Sequence, residues 1–249
     1  MEKFVIILTI LAFASSELFS VDKWKDIRPL ITGGSPAIDG QIPYQVAIAT
    51  VNNGNISLCG GTLIKHKWVL TGASCLQTKF QYYLVVFGSL RLIEDEPAYL
   101  FNSSSSSNFI IHPNYNSLTN ANNIALLKID EMPKTITNHK NIEYIGLPTE
   151  EEAKTNLTGR DITISGYGFK DDGFTTFNMH YTTVKLAPID VCKNFVYYDI
   201  KFNVTESTLC IDTVGGKSPC ADGGGPMTIE IGSKKVLVGI MCPSSRTVT

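Results

Sequence analysis

Short apolar or alternating runs recur along the chain between residues that favour turns. Runs of this length and alternation predict antiparallel β-strands, because every second side chain of such a strand faces the core. A mostly β fold is therefore expected. The predicted strands are Tyr44–Val51, Thr62–Leu70, Tyr82–Phe87, Ile124–Ile129, Asp161–Ser165, Tyr181–Leu186 and Val236–Met241.

Three further segments depart from this pattern. The stretch Pro188–Phe195 predicts one short helix, with Asp190 placed in its first turn. The polar run Asn102–Ser107 predicts a solvated loop. The region 138–155 has few apolar runs and is expected to connect two β units.

The N-terminal segment has the pattern of a secretory signal peptide. Lys3 precedes an apolar run over residues 4–14, and the small residues Ala14, Ser15 and Ser16 follow. The run is shorter than the roughly 20 residues that span a bilayer. We therefore predict a signal peptide over residues 1–16 and an extracellular protein without a membrane anchor.

Charge argues against a nucleic-acid partner. The formal net charge is -2, and the densest basic groups are only Lys65-His66-Lys67 and Lys234-Lys235. Phosphate backbones require clustered Lys and Arg side chains. A nucleic-acid partner is therefore not expected.

The cysteines and sequons agree with passage through an oxidising secretory pathway. The six cysteines are an even number, which predicts disulfides, although their spacing alone leaves several pairings open. Four N-x-Ser/Thr sequons are glycosylation candidates, at Asn55, Asn102, Asn156 and Asn203.

Five groups of motifs resemble, in order, those of the trypsin-like (chymotrypsin-like, S1) serine proteases. They resemble the mature N-terminus, the strand pair before the catalytic histidine, the segment with the aspartate, the SGWG turn and the nucleophile loop. The motifs are Ile31–Gly34, Cys59–Ile64 with Trp68–Thr71, Ile111–Tyr115 with Asn122–Lys128, Ser165–Gly168, and Cys220–Pro226.

This resemblance implies two six-stranded antiparallel Greek-key β-barrels. It also implies a short pro-segment over residues 17–30 and a protease-like domain over residues 31–249. Only seven residues follow Cys242, so the second barrel is expected to be incomplete at its C-terminal end. The absence of the family's last helix would then leave apolar surface uncovered.

The resemblance also implies that all three catalytic positions have changed. Ser74 stands where TAAHC supplies the histidine, Asn123 where NDIALL supplies the aspartate, and Gly223 where CxGDSGGP supplies the serine. A hydroxyl or an amide cannot act as a general base near neutral pH, and glycine carries no nucleophile. The sequence therefore predicts a protein that is not an enzyme.

Other positions follow from the same comparison. Ser218 stands at the base of the specificity pocket, and Asp222 is the carboxylate that would meet a new N-terminus at Ile31. The implied disulfides are Cys59–Cys75 and Cys192–Cys210, which leave Cys220 and Cys242 to pair. The segment 239–242 also fits the alternative that Cys242 ends the substrate-binding strand.

Metal and cofactor sites are not predicted. The sequence contains no HExxH or CxxC motif and no closely spaced histidine pair. The family comparison places His66 and His112 on loops outside the catalytic cleft, and no catalytic role is expected for the four histidines, which are His66, His112, His139 and His180.

The motifs ITGG and LTGASC and the sequons resemble the inactivated serine protease paralogues of parasitic mites such as the scabies mite, which are related to the mite group 3 allergens. That resemblance implies a secreted protein that binds host defence proteins and interferes with complement. The main alternative is an arthropod serine protease homologue that serves as a non-catalytic cofactor in a proteolytic cascade. A weak hydrolase and a drifting paralogue without a role are two others.

Overall fold

The structure is a computed structural model, and its description covers part of the chain. The described residues are 34–76, 79–95, 97–132, 134–167, 177–193, 196–197, 200–201, 204–212 and 222–242. The predicted signal peptide, the pro-segment and Ile31 lie outside them, as do Asn203, Ser218 and Cys220.

The first barrel is a seven-stranded antiparallel sheet in the order β6-β5-β2-β3-β4-β8-β7. The short strand β1 (Ser35–Pro36) precedes it and pairs with the second sheet. The seven strands are β2 (Gln45–Asn52), β3 (Asn55–Lys65), β4 (Trp68–Thr71), β5 (Tyr82–Phe87), β6 (Tyr99–Ser103), β7 (Phe109–Ile111) and β8 (Ala125–Lys128).

A bend in one segment closes this barrel. β6 and β7 form the two edges of the sheet and are joined by residues 104–108 only. The expected six strands become seven because the serine run interrupts this segment. The prediction of a loop over residues 102–107 is thus wrong in part: Asn102 and Ser103 belong to β6, and a 3-10 helix (Ser106–Asn108) begins where the Ser105 side chain accepts from the Ser107 N–H.

The predicted strand over residues 62–70 is two strands. The turn at His66 and Lys67 ends β3 and begins β4, and the two strands pair with each other. Both sides of the turn are apolar, so periodicity alone does not reveal the reversal.

The second sheet has six strands in the order β1-β10-β9-β14-β15, with β13 also paired to β10. A separate pair of strands joins β11 to β12. The strands are β9 (Asp161–Gly166), β10 (His180–Ala187), β11 (Val196–Tyr197), β12 (Ile200–Lys201), β13 (Cys210–Asp212), β14 (Pro226–Ile231) and β15 (Lys234–Ile240). The predicted all-β fold is confirmed.

Helices are short among the described residues. They are α1 (Ala73–Leu76), α2 (Lys134–Thr137), α3 (Glu150–Ala153) and α4 (Ile189–Lys193). The predicted helix corresponds to α4, where Asp190 Oδ1 accepts from Lys193 Nζ at 2.8 Å. In this described part of the chain, no helix has the length and apolarity to cross a membrane.

Each barrel has its own core, and buried polar contacts join the two. In the first, Tyr83 packs against Phe80, Phe101 and Phe109. In the second, apolar residues of β9, β10, β14 and β15 pack together: Ile162, Ile164, Val184, Leu186, Met227, Ile229 and Val236. Across the junction, Ser165 Oγ donates to Gln45 Oε1 at 2.7 Å in a buried site. The junction is therefore a specific, hydrogen-bonded interface.

Candidate functional site

Ser74 and Asn123 meet directly at the junction of the barrels. Ser74 lies in α1, and Asn123 lies just before β8 and is 7% exposed. Asn123 Oδ1 accepts from the Ser74 N–H at 2.8 Å, and Asn123 Nδ2 donates to Ser74 Oγ at 3.1 Å. The structure thus brings together two of the three positions implied by the resemblance, as a neutral amide and hydroxyl pair.

Gly223 lies beside this pair on a buried loop. Its carbonyl oxygen accepts from the Gly60 N–H at 2.9 Å and lies 3.4 Å from Cys75 Sγ. The next residue, Gly224, has φ +84, and a Cβ there would overlap Thr71 Oγ1 and the Gly60 carbonyl. Close contact between backbones explains why glycine occupies position 224. All three replaced positions therefore surround one site.

The disulfide Cys59–Cys75 fixes this site to the first barrel, because it joins β3 to α1. The second disulfide, Cys192–Cys210, joins α4 to β13. Both are pairs that the family resemblance implies.

The implied Cys220–Cys242 disulfide is not formed, because Cys242 carries a free thiol. The register of β14 with β15 ends at Pro226 and Ile240, so the chain reaches position 242 beside the nucleophile loop. There the Asn123 side chain hydrogen-bonds the thiol. Cys242 thus belongs to the candidate site, whereas Cys220 lies outside the described residues.

Cys242 is exposed, although the protein around it displaces part of the water near its thiol. This burial raises the pKa of Cys242, and the hydrogen bond with Asn123 opposes the rise. Burial also raises the pKa of Tyr115, whose hydroxyl donates to Asn120 Oδ1 at 3.3 Å. A thiol and a phenol with raised pKa values stay protonated at neutral pH, so neither supplies a nucleophilic anion or a base.

Asp222 occupies a second polar site, next to Gly223 and 2% exposed. Its Oδ2 has no hydrogen-bond partner in the described part of the structure, and the backbone of Tyr167 bonds the carboxylate. Burial raises the pKa of Asp222 well above its usual value, and the bond from Tyr167 acts in the opposite direction. The carboxylate lies against Gly166, where any Cβ would overlap it.

The four histidines interact elsewhere. The ring of His66 packs edge-on against Tyr144. The Nδ1 atoms of His112 and His139 accept backbone N–H groups, and Nδ1 of His180 bonds the carbonyl of Asn178. No interaction found in the described residues joins an imidazole to Ser74, Asn123 or Gly223, and no group of three His, Cys, Asp or Glu side chains there could hold a metal ion.

Three of the four sequon asparagines lie on exposed positions. These are Asn55 in β3, Asn102 in β6 and Asn156 after α3. None of them borders the candidate site.

Comparison with known proteins assigns the family. The family model described as Trypsin matches residues 31–247. The chain is 32% identical over 245 residues to a collagenase of Hypoderma lineatum, which covers 96% of this chain and 86% of the relative. It is 30% identical over 198 residues to brachyurin of Leptuca pugilator, which covers 79% of this chain and 80% of the relative.

The solved structure of HL collagenase matches with a TM-score of 0.72 and 32% identity, and the match covers 86% of this chain and 87% of that structure. Fold, motif order and the disulfide Cys59–Cys75 thus agree with one assignment. The chain belongs to the trypsin-like S1 serine protease family.

Proposed function

We propose that this protein is a secreted, catalytically inactive member of the family that acts by binding other proteins. The observation that carries the proposal is the Ser74–Asn123 contact, in which the Asn123 amide bonds both the backbone N–H and the hydroxyl of Ser74 beside a glycine. Hydrolysis by a serine protease requires a base that takes the proton of an attacking hydroxyl, and a carboxylate that orients that base. The pair supplies neither, because an amide and a hydroxyl are not bases near pH 7.

The magnitude of the loss argues against residual turnover. Removal of a whole triad lowers turnover on the order of a million-fold in subtilisin, or roughly 8 kcal/mol of transition-state stabilisation. Cys242 does not compensate, because burial raises its pKa and its contact in the site is an amide. A scaffold without its chemistry still presents surfaces, so binding is the role that remains.

The proposed partners are host defence proteins, complement components in particular. This part of the proposal rests on the resemblance of ITGG and LTGASC to the inactivated mite paralogues. The alternative is a non-catalytic cofactor within an arthropod's own protease cascade. Pull-downs from host plasma and from arthropod haemolymph, together with a complement haemolysis assay, separate the two: capture of complement components with inhibition of haemolysis supports the first, and capture of the arthropod's own protease zymogens without inhibition supports the second.

The absence of catalysis is tested with a fluorophosphonate probe and a broad peptide library. We expect no covalent labelling and no amine release above that of heat-treated protein, whereas an active family protease reacts in parallel. A double variant, Ser74→Ala with Cys242→Ser, is the matched control. Labelling or hydrolysis that disappears in this variant would overturn the proposal, and activity that persists unchanged identifies a contaminating protease.

A further inference from the structure

The turn between β2 and β3 contains the only Asn-Gly pair of the sequence, Asn53-Gly54. Asn52 pairs with Asn55, so these two residues form the whole turn, and both are exposed. Their φ angles are 49° and 79°. A tight type I′ turn needs a positive φ at both central residues, which favours asparagine followed by glycine. The geometry of the hairpin therefore explains why this pair is present.

The same pair places an amide carbon beside a backbone nitrogen. Attack of the Gly54 nitrogen on Cγ of Asn53 closes an imide ring, and the reaction is intramolecular because the two groups belong to neighbouring residues. Glycine has no Cβ to crowd the attacking nitrogen. Ring closure is therefore least hindered at an asparagine that precedes a glycine.

The attacking nitrogen and the leaving nitrogen both lack hydrogen bonds to described residues. The Gly54 N–H has no such partner, and a Cβ placed on Gly54 would have no atom within 4 Å. The bonds of Asn53 in this part of the structure use its backbone N–H and its Oδ1, which leaves Nδ2 unbonded. No protein contact has to break before the nitrogen attacks or the amide leaves.

Gln81, the residue before β5, holds the carbonyl that would react. The Asn53 N–H donates to Gln81 Oε1 at 3.0 Å, and Gln81 Nε2 donates to Asn53 Oδ1 at 3.4 Å. The Gln81 N–H is itself bonded to the Val51 carbonyl of β2 at 2.7 Å. Negative charge develops on Oδ1 when a nitrogen attacks Cγ, and a donor already placed at that oxygen stabilises the transition state.

We propose that Asn53 is a site of spontaneous modification, at which the Gly54 nitrogen displaces the side-chain amide and Gln81 is the donor to the carbonyl oxygen. The bond from the Gly54 nitrogen to Cγ forms, the Cγ–Nδ2 bond breaks, and the amide leaves as ammonia with the proton of the Gly54 nitrogen. Water then opens the imide at one of its two carbonyls. The products are aspartate and isoaspartate.

The products differ from asparagine in charge and in backbone length. Each conversion makes the net charge one unit more negative than the formal -2. Isoaspartate also adds a carbon atom to the main chain, so a two-residue turn no longer matches the pairing of Asn52 with Asn55. We therefore expect converted protein to elute later from an anion exchanger and to show faster hydrogen exchange in this hairpin.

The test uses the full secreted protein with Ser57→Ala, which removes the Asn55 sequon so that no glycan alters the peptide mass. Folded protein and protein unfolded in guanidinium chloride are kept at pH 8 and sampled over time. Peptide mass spectrometry measures conversion of the amide to a carboxyl, and isoaspartyl methyltransferase labels the iso form. We expect Asn53 to convert at least as fast in the folded protein as in the unfolded chain.

Two other asparagines are internal controls. Asn102 and Asn116 are each followed by a serine, whose Cβ crowds the attacking nitrogen. Asn116 Oδ1 also accepts two backbone N–H groups, from Leu118 and Thr119, so it has donors at the carbonyl but no glycine after it. We expect both to remain unconverted in the folded protein while Asn53 reacts.

Variants of Gln81 isolate the role of its donor. Gln81→Glu keeps an oxygen for the Asn53 N–H and loses the donor to Oδ1, whereas Gln81→Ala loses both. We expect each to slow conversion in the folded protein by about fivefold, the effect of one hydrogen bond, and to leave the unfolded rate unchanged. Gln41→Ala is the matched control, because that side chain bonds the Ile38 N–H and should not affect the rate. Circular dichroism shows whether each variant is folded.

Three results would overturn the proposal. Slower conversion of Asn53 in the folded protein than in the unfolded chain shows that the hairpin protects the residue. Equal rates in the parent protein and both folded Gln81 variants remove the role of the donor. A mass gain that persists in Asn53→Gln, whose amide is one carbon further away, places the change at another residue. None of these measurements involves a partner or a protease substrate, so this proposal and the proposed function can fail separately.

Discussion

Two polar sites lie side by side where the barrels meet, and they differ in how their side chains are paired. At the first site, Asn123 uses both its oxygen and its nitrogen in bonds with Ser74. At the second, Asp222 is equally buried, yet one carboxylate oxygen has no partner among the described residues. The first site is neutral and satisfied, whereas the second holds a carboxyl group whose pKa is raised by burial.

The comparison shows that a neutral amide can occupy a buried position without leaving its polar atoms unpaired. A buried polar group is tolerated when it is hydrogen-bonded, and an amide fulfils that condition without a charge. Asp222 lacks this compensation at one oxygen. A buried carboxylate without a partner is strongly unfavourable. We therefore expect replacement of the polar side chain itself to stabilise the protein at the second site and to destabilise it at the first.

The largest effect is expected where space around Asp222 is removed. Gly166→Ala places a methyl group onto the carboxylate and should lower the free energy of unfolding by about 3 kcal/mol. Urea denaturation of both proteins measures this difference. Gly146→Ala is the control, since no atom lies within 4 Å of a Cβ there, and its stability should match the wild type. Equal stability of Gly166→Ala and the wild type would contradict the described position of Asp222.

Replacement of the carboxyl itself should stabilise the protein. The folded-state pKa of Asp222 is raised, so its contribution to stability is complete below the unfolded pKa, near 4, and is lost as the pH rises through the folded pKa. Asp222→Asn does not titrate, so its advantage over the wild type should grow between pH 4 and pH 8 to about 2 kcal/mol. Thermal midpoints across this range test the prediction.

Asp190→Asn serves as the control for that series, because this exposed carboxylate forms a surface ion pair with Lys193 and its removal should alter the midpoint little. If Asp222→Asn is instead less stable than the wild type at pH 7, a cation is paired with Asp222. The resemblance implies that such a cation would be a new N-terminus at Ile31, which N-terminal sequencing of secreted protein detects.

A smaller loss is expected at the satisfied site. Asn123→Ala removes both bonds to Ser74 and leaves the Ser74 N–H without its acceptor, which should lower the free energy of unfolding by about 1 to 2 kcal/mol. Asn138→Ala, on an exposed position, should have almost no effect. Chemical denaturation of the three proteins provides the measurement. A stabilised Asn123→Ala would show that the pair is not the favourable contact described.

The smallest effect is expected at Cys242, where the measured property is the reactivity of the thiol. Because burial raises its pKa, alkylation of the folded, unreduced protein by iodoacetamide at pH 8 should be about tenfold slower than in urea and should accelerate at higher pH. Peptide mass spectrometry locates the label, and Cys242→Ser identifies its peptide. A disulfide-linked pair of peptides with Cys220 and Cys242 would contradict the free thiol.

Sequence reasoning reached much of the fold because strand periodicity is local. The strand Tyr82–Phe87 has the predicted bounds, and the helix begins beside Asp190 as expected. The break of β3 from β4 at His66 has a local signal in the exposed polar run Lys65-His66-Lys67, which the apolar runs on both sides outweigh when only periodicity is considered. The bend that closes the first barrel depends on pairing with β5 and β8, which are distant in the chain.

At the candidate site, the resemblance assigned Ser74, Asn123 and Gly223, and the structure places them together. For Cys242 it left two alternatives, a disulfide with Cys220 and a place at the substrate-binding strand, and the free thiol excludes the first. The register of β14 with β15 would have shown where Cys242 lies. A hairpin that turns at Gly232 and Ser233 carries residue 242 opposite the nucleophile loop, beside Asn123. Pairing of cysteines is a three-dimensional property, so counting along the chain is a weak guide to it.

The glycines where the two barrels meet affect how members of this family are identified from their sequences. A Cβ on Gly60 would lie 2.7 Å from the Gly225 backbone, and one on Gly224 would overlap Thr71. Glycine is required at these positions because two backbone segments of the chain touch there, whether or not the protein cleaves a peptide. The GGP signature by which a protease is recognised therefore reports the assembly of the scaffold, and hydrolytic competence has to be judged from the neighbouring side chains.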